Sequence, residues 1–158
     1  MTKEKKQILL KDLCDRLPHG VLLNVTSRYA NKQQNAYTMV GIVKSDVLVE
    51  IEYDPSMGMM DARPLNIPVE NVKPYLRPMS SMTEEEFKEL TFITELQYDQ
   101  LELKDWGNCC KTLEFYLEEI PHYCVIKVFD WLNSHHFDYR ELISMGLALE
   151  APEGMYCN

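Results

Sequence analysis

The stretch YTMVGIVKSDVLVEIEY, residues 37–53, contains two runs rich in β-branched residues separated by a short polar link. Such runs favour β-strands, and a link as short as KSD fits a tight hairpin. Gly41 lies inside the first run, where a glycine indicates a bulge or a bend in the sheet. The stretch therefore predicts an antiparallel hairpin in a small, bent sheet.

The flanking sequence extends this sheet. Residues 4–17, EKKQILLKDLCDRL, have helical apolar spacing and are followed by Pro18 and Gly20, while GVLLNVTS reads as a strand. After the hairpin, frequent prolines leave room for a short edge strand near residues 65–67 and a turn near 69–72, and they disfavour a central strand. These prolines are Pro64, Pro68, Pro74 and Pro78. We expect residues 1–78 to form one helix and an SH3-like partial barrel.

Residues 79–158 read as a mainly helical module. Thr83 and Glu86 have the spacing of a capping box, which we favour over a cation site formed by the TEEE run. A buried stripe is predicted for this helix at Phe87, Leu90 and Ile93, and a later helix is predicted from Val125, Ile126, Phe129 and Leu132. A last helix would begin after Asp138 and end at Gly146. A helix could start after Asn108 and end before Pro121, whereas LQYDQLEL, residues 96–103, fits a strand or a loop. The overall expectation is an α+β protein, as two modules or one packed domain.

Charge is divided unevenly along the 158 residues. Residues 1–78 carry 11 Lys and Arg against 9 Asp and Glu, whereas residues 79–158 carry 5 against 16. The second half, at −11, would repel a phosphate backbone, so direct nucleic-acid binding is disfavoured there. The apolar runs are short for a membrane span, and the N-terminal stretch lacks the pattern of a secretory signal. We expect a cytoplasmic protein whose five cysteines are reduced thiols.

Histidine and cysteine side chains are the candidates for chemistry. A metal-binding protein or small enzyme could use His122, Cys124, His135 and His136, although their spacing matches no common zinc motif. The alternative, which we favour, places the adjacent histidines at a corner between helices. No common catalytic or phosphate-binding motif occurs, so the sequence predicts neither a catalytic residue nor a cofactor.

Two segments resemble a known group of proteins. The stretch VKPYLRPMSSMTEEE, residues 72–86, and the stretch FDWLNSHHFDYRELISMGLALEAPEGMY, residues 129–156, resemble small uncharacterised proteins. These are encoded by phages and mobile elements of Bacteroides-type gut bacteria. The resemblance implies a bacterial host cytoplasm and a role alongside mobile DNA, and it carries no activity or site residue with it.

These observations predict a non-enzymatic accessory protein of a phage or mobile element. It would bind a basic protein partner, for example a nucleic-acid-binding protein, through aromatic and acidic side chains. The candidate interface residues are Tyr98, Trp106, Glu114, Glu118 and Glu119. Two alternatives stay open: the metal-binding protein or enzyme described above, and nucleic-acid binding through the N-terminal β module.

Overall fold

The computed structural model describes residues 1–26, 36–50, 64–94 and 122–156, without the side chains of residues 91, 94 and 122–125. The described residues have the predicted α+β architecture, with one six-stranded open sheet and three α-helices. The helices are α1 (Lys3–Arg16), α2 (Glu84–Thr94) and α3 (His122–Ser134). The strands are β1 (Leu22–Val25), β2 (Tyr37–Val43), β3 (Asp46–Val49), β4 (Leu65–Pro68), β5 (Val72–Leu76) and β6 (Leu149–Glu150).

The predicted hairpin lies inside the sheet, whose strand order is β4-β3-β2-β1-β5-β6. All neighbouring strands are antiparallel except β5 and β6, which are parallel. The β2/β3 register shifts between Met39 and Gly41, which confirms the predicted bulge. A Cβ at Gly41 would lie 3.2 Å from the Leu48 side chain, so glycine also permits close strand packing. Because the described strands leave the sheet open, the SH3-like partial barrel is not confirmed.

Strand β5 is the main element that the sequence reading missed. The prolines led us to expect no central strand there, yet β5 lies between β1 and β6 and contains Pro74. Pro74 faces Leu23. Three residue pairs further along the ladder, the Thr26 amide donates a hydrogen bond to the Asn71 carbonyl at 2.8 Å. Since such pairs alternate in an antiparallel ladder, Pro74 occupies a position that donates nothing to β1. The missing N–H therefore costs this pairing no hydrogen bond.

Helix α1 begins and ends where the sequence predicts. Thr2 caps its start by accepting a hydrogen bond from the Lys5 amide at 3.3 Å, and Gly20 takes a left-handed φ of 66° just beyond its end. Leu9 and Leu13 are buried in the main core against the inner face of the sheet. The apolar stripe of α1 is thus what holds the helix on the sheet.

Helices α2 and α3 build a second apolar cluster. The capping box is confirmed, because the Glu86 amide donates to Thr83 Oγ1 at 3.2 Å and the Thr83 amide donates to Glu86 Oε2 at 2.8 Å. Leu90 of α2 packs in the same cluster as Leu132 of α3. One prediction was wrong in detail: Ile126 is 76% exposed, so the buried face of α3 is rotated away from it.

The helix predicted to follow Asp138 is replaced by a series of turns, because Glu141 has a left-handed φ of 58°. The Asp138 carboxylate accepts hydrogen bonds from the Leu142 and Ile143 amides, both at 2.8 Å. Gly146, with φ 73°, ends the turns as expected. The segment therefore keeps the predicted start and stop signals without forming a regular helix.

The C-terminal residues complete the main core. Leu142, Leu147 and Ala148 are buried in the same cluster as the inner face of the sheet, and β6 pairs with the edge of β5. In the part of the chain that the structure describes, no helix has the length and apolar character needed to cross a membrane.

Candidate functional site

The adjacent histidines form the corner that follows α3. The Phe137 amide donates to the Leu132 carbonyl at 3.0 Å and the His136 amide donates to the Asn133 carbonyl at 3.1 Å. These two bonds define a Schellman motif at the C-terminus of a helix. The residue just before the donor of the bond that spans more residues, here Phe137, has a left-handed backbone and is usually glycine. Here His136 fills that position with φ 59°. The backbone geometry thus supports a corner at the end of α3, but the predicted second helix is absent, since a series of turns follows the histidine pair.

The two histidine rings lie in different surroundings. His135 Nδ1 donates to the Trp131 carbonyl at 2.9 Å, and its ring stacks on the Trp131 ring at 4.0 Å between centroids. The His136 ring is 6% exposed and stacks on Tyr156 at 3.7 Å. Burial, followed by the nearby charge of Arg16, lowers the pKa of His136 to about 4. Each imidazole is therefore held by its own aromatic partner.

The metal hypothesis gains no assembled ligand set from these residues. His122 and Cys124 belong to α3, but their side chains lie outside the described residues. Within the described part of the chain, no group of three or more His, Cys, Asp or Glu side chains is arranged to hold a metal ion. His135 and His136 are adjacent in the chain, but their rings stack on different partners, Trp131 and Tyr156.

A buried ion-pair cluster ties this corner to α1. Asp12 and Arg16 are both fully buried and their side chains meet at 2.8 Å. Arg16 Nη2 donates to the Phe137 carbonyl at 2.8 Å, and Arg140 Nη1 lies 3.0 Å from the second Asp12 oxygen. Arg140 also contacts Asp15, which is partly exposed. Buried charges require such pairing, so the cluster fixes the corner relative to α1.

Sequence reasoning missed this cluster. The spacing of Asp12 and Arg16, four residues apart on a predicted helix, is a signal that could have found the first pair. Nothing in the local sequence indicates that Arg140, 128 residues away, approaches the same carboxylate. The residue types at the cluster are typical of structural ion pairs, and we assign them no chemistry.

The Tyr156 hydroxyl lies between two strands. It accepts a hydrogen bond from the Leu22 amide at 3.1 Å and donates one to the Tyr75 carbonyl at 2.8 Å. Burial raises the pKa of Tyr156 to about 12, so the hydroxyl keeps the proton that it donates. The C-terminal residues are thereby joined to both β1 and β5.

Helix α2 presents an acidic face with one large apolar side chain. Glu85, Glu89 and Phe92 are spaced at i, i+4 and i+7, which puts them on one side of the helix. All three are exposed, and Phe92 is 85% exposed. The neighbouring carboxylates form ion pairs within the protein. Glu84 pairs with Lys88 at 2.7 Å, and Glu86 pairs with Arg77 at 2.6 Å.

We call Glu85, Glu89 and Phe92 the α2 acidic face. Among the described residues, Glu85 and Glu89 take part in no ion pair, so their charges face solvent. The sequence-predicted interface residues Tyr98, Trp106, Glu114, Glu118 and Glu119 lie outside the described residues. The comparisons add no relative: no protein-family model, curated protein or solved structure matches this chain.

Proposed function

We propose that the protein is a non-enzymatic accessory protein of a phage or mobile element that binds a basic protein partner. The observation that carries the proposal is the α2 acidic face, where two carboxylates without an ion pair among the described residues share one side of the helix with a Phe92 side chain that is 85% exposed. Burial of a large, solvent-exposed aromatic side chain against a partner lowers the free energy of the complex. This face therefore combines an apolar side chain that a partner can bury with negative charge that favours a basic partner.

Charge complementarity supports a basic partner. Residues 79–158 carry 16 Asp and Glu against 5 Lys and Arg. Such an excess steers a positively charged protein toward the surface and raises its association rate, while salt weakens the effect. A partner that normally binds nucleic acid fits this pattern, because its basic surface is built to meet closely spaced negative charges.

Affinity capture with matched charge variants tests the proposal. The full chain is immobilised and exposed to bacterial host lysate at low salt and again at about 0.5 M NaCl, where exposed charges are screened within a few ångströms. The test variants are Glu85→Gln with Glu89→Gln, and Phe92→Ala alone. The matched control is Glu150→Gln with Glu153→Gln, which removes the same charge from two exposed positions elsewhere.

We expect the wild-type chain and the control to retain the same basic protein at low salt. Each α2 variant should reduce its recovery several-fold, and duplex DNA should compete if the partner binds nucleic acid. Retention of no protein, or equal retention by the α2 double variant and its control, would contradict the proposal.

A further inference from the structure

Strands β1 and β5 separate at one position of their ladder. Asn24 pairs with Lys73, and Thr26 donates to the Asn71 carbonyl, so alternate residues of β1 form the hydrogen-bonded rungs toward β5. The next rung along β1 would join the Leu22 amide directly to the Tyr75 carbonyl. In its place, the amide donates to Tyr156 Oη at 3.1 Å, and the hydroxyl donates to the carbonyl at 2.8 Å.

The inserted hydroxyl thus forms hydrogen bonds with the Leu22 amide and the Tyr75 carbonyl, which would otherwise bond directly to each other. Removing Tyr156 does not have to leave either group unpaired, because the strands are already held in register one rung away by Asn24 and Lys73. This matters energetically, since a backbone group left without a hydrogen-bond partner is costly when it stays buried. The rung therefore has two hydrogen-bonded arrangements, with and without Tyr156.

The segment that carries Tyr156 is weakly held. Strand β6 is only two residues long. Just beyond it, the Ala151 amide donates one more hydrogen bond to β5, to the Leu76 carbonyl at 2.8 Å. Within residues 149–156 no whole residue is buried, and Tyr156, whose hydroxyl is shielded between β1 and β5, is partly exposed. Segments with few buried groups open at low free energy, independently of the core.

We propose that residues 149–156 form a detachable strap, which leaves the edge of β5 while the rest of the fold stays intact. On release, the Leu22 amide bonds directly to the Tyr75 carbonyl, the Leu76 carbonyl loses its Ala151 partner, and the His136 ring loses its stacking partner. The strap thus works as a conformational switch that uncovers a strand edge and the histidine corner together.

Amide hydrogen exchange of the full chain, measured by NMR, tests the switch. The Ala151 amide reports the strap, and the Met39 amide, which donates to the Val21 carbonyl at 3.2 Å, reports the core. We expect protection of Ala151 to be lower than that of Met39 by on the order of 100-fold, and to be insensitive to low urea concentrations. Equal protection and equal urea dependence of the two amides would overturn the proposal.

The variant Tyr156→Ala tests closure of the rung, with Met155→Ala as the neighbouring control. In Tyr156→Ala, we expect the Ala151 amide to lose protection while the Leu22 amide stays within about tenfold of its wild-type protection. If Leu22 exchanges freely while Met39 stays protected, the rung does not close and the switch is wrong. If Met39 also loses protection, the variant is globally unstable, and the urea series on the wild-type chain decides.

Discussion

Asp12 of α1 is contacted by Arg16 one helical turn away and by Arg140 from the far end of the chain, at 2.8 and 3.0 Å. Both the carboxylate and Arg16 are fully buried. The pair is thus the electrostatic link between the first helix and the corner that follows α3.

Replacing Asp12 by Asn should therefore destabilise the fold strongly. It leaves the Arg16 guanidinium buried without a counter-charge, and breaking a buried pair in this way costs about 3–5 kcal/mol. Urea denaturation followed by circular dichroism measures the change. The control Asp15→Asn removes a partly exposed partner of Arg140 and should cost less than about 1 kcal/mol. Similar losses for both variants would show that the buried pair is not special.

Glycine at position 141 should stabilise the protein. Glu141 is exposed and has a left-handed φ of 58°, which costs a residue with a Cβ about 1–2 kcal/mol. Part of this gain is offset by the greater entropy of an unfolded glycine, so Glu141→Gly should raise the free energy of unfolding by up to about 1 kcal/mol. The control Glu89→Gly, within α2, should lower it by about 1 kcal/mol. A loss of stability in Glu141→Gly would contradict the reading of local strain.

The stability of the fold should fall on acidification because of His136. Its pKa is about 4 in the folded protein, below the usual value of 6.5, so the unfolded chain binds more protons between these values. The stabilising contribution is complete above pH 6.5 and is lost as the pH falls toward 4, with a slope of at most about 1.4 kcal/mol per pH unit.

The difference between the wild-type chain and His136→Asn isolates this contribution, since asparagine tolerates a left-handed backbone. Other groups, including Asp138 with its pKa raised by burial, titrate in both proteins and largely cancel in the difference. Denaturation at several pH values from 7 to 4 should give a shallower dependence for the variant. The same slope in both proteins would sink the assignment to His136.

Glu86 should contribute more to stability than its neighbour Glu85. Its carboxylate pairs with both terminal nitrogens of Arg77, at 2.6 and 2.9 Å, and also caps the Thr83 amide. We expect Glu86→Ala to lower the free energy of unfolding by about 1–2 kcal/mol through loss of the cap and the ion pair, whereas Glu85→Ala should change it by about 0.5 kcal/mol or less. Thermal denaturation of the two variants makes the comparison.

Local patterns in the sequence predicted local structure well. The hairpin of β2 and β3, the bulge at Gly41 and the capping box of Thr83 and Glu86 all depend on residues close together in the chain. Strand β5 was missed because the effect of a proline depends on which side of the strand its nitrogen faces, and only the pairing partner determines that.

Long-range contacts were beyond the sequence pattern. Nothing near Arg140 indicates Asp12, and nothing near Tyr156 indicates that its hydroxyl joins Leu22 to Tyr75. Phe92 lies off the buried stripe predicted at Phe87, Leu90 and Ile93, and its exposed ring was not singled out because an apolar residue outside a stripe gives no signal of its own.

The placement of Leu142, Leu147 and Ala148 among the side chains of the sheet has a consequence for biosynthesis. While the ribosome is still translating the middle of the message, the emerging strands lack the last side chains that cover them. Hydrophobic surface on the nascent polypeptide therefore stays open to chaperones until residues 142–148 have emerged from the exit tunnel, and the finished fold can form only after that.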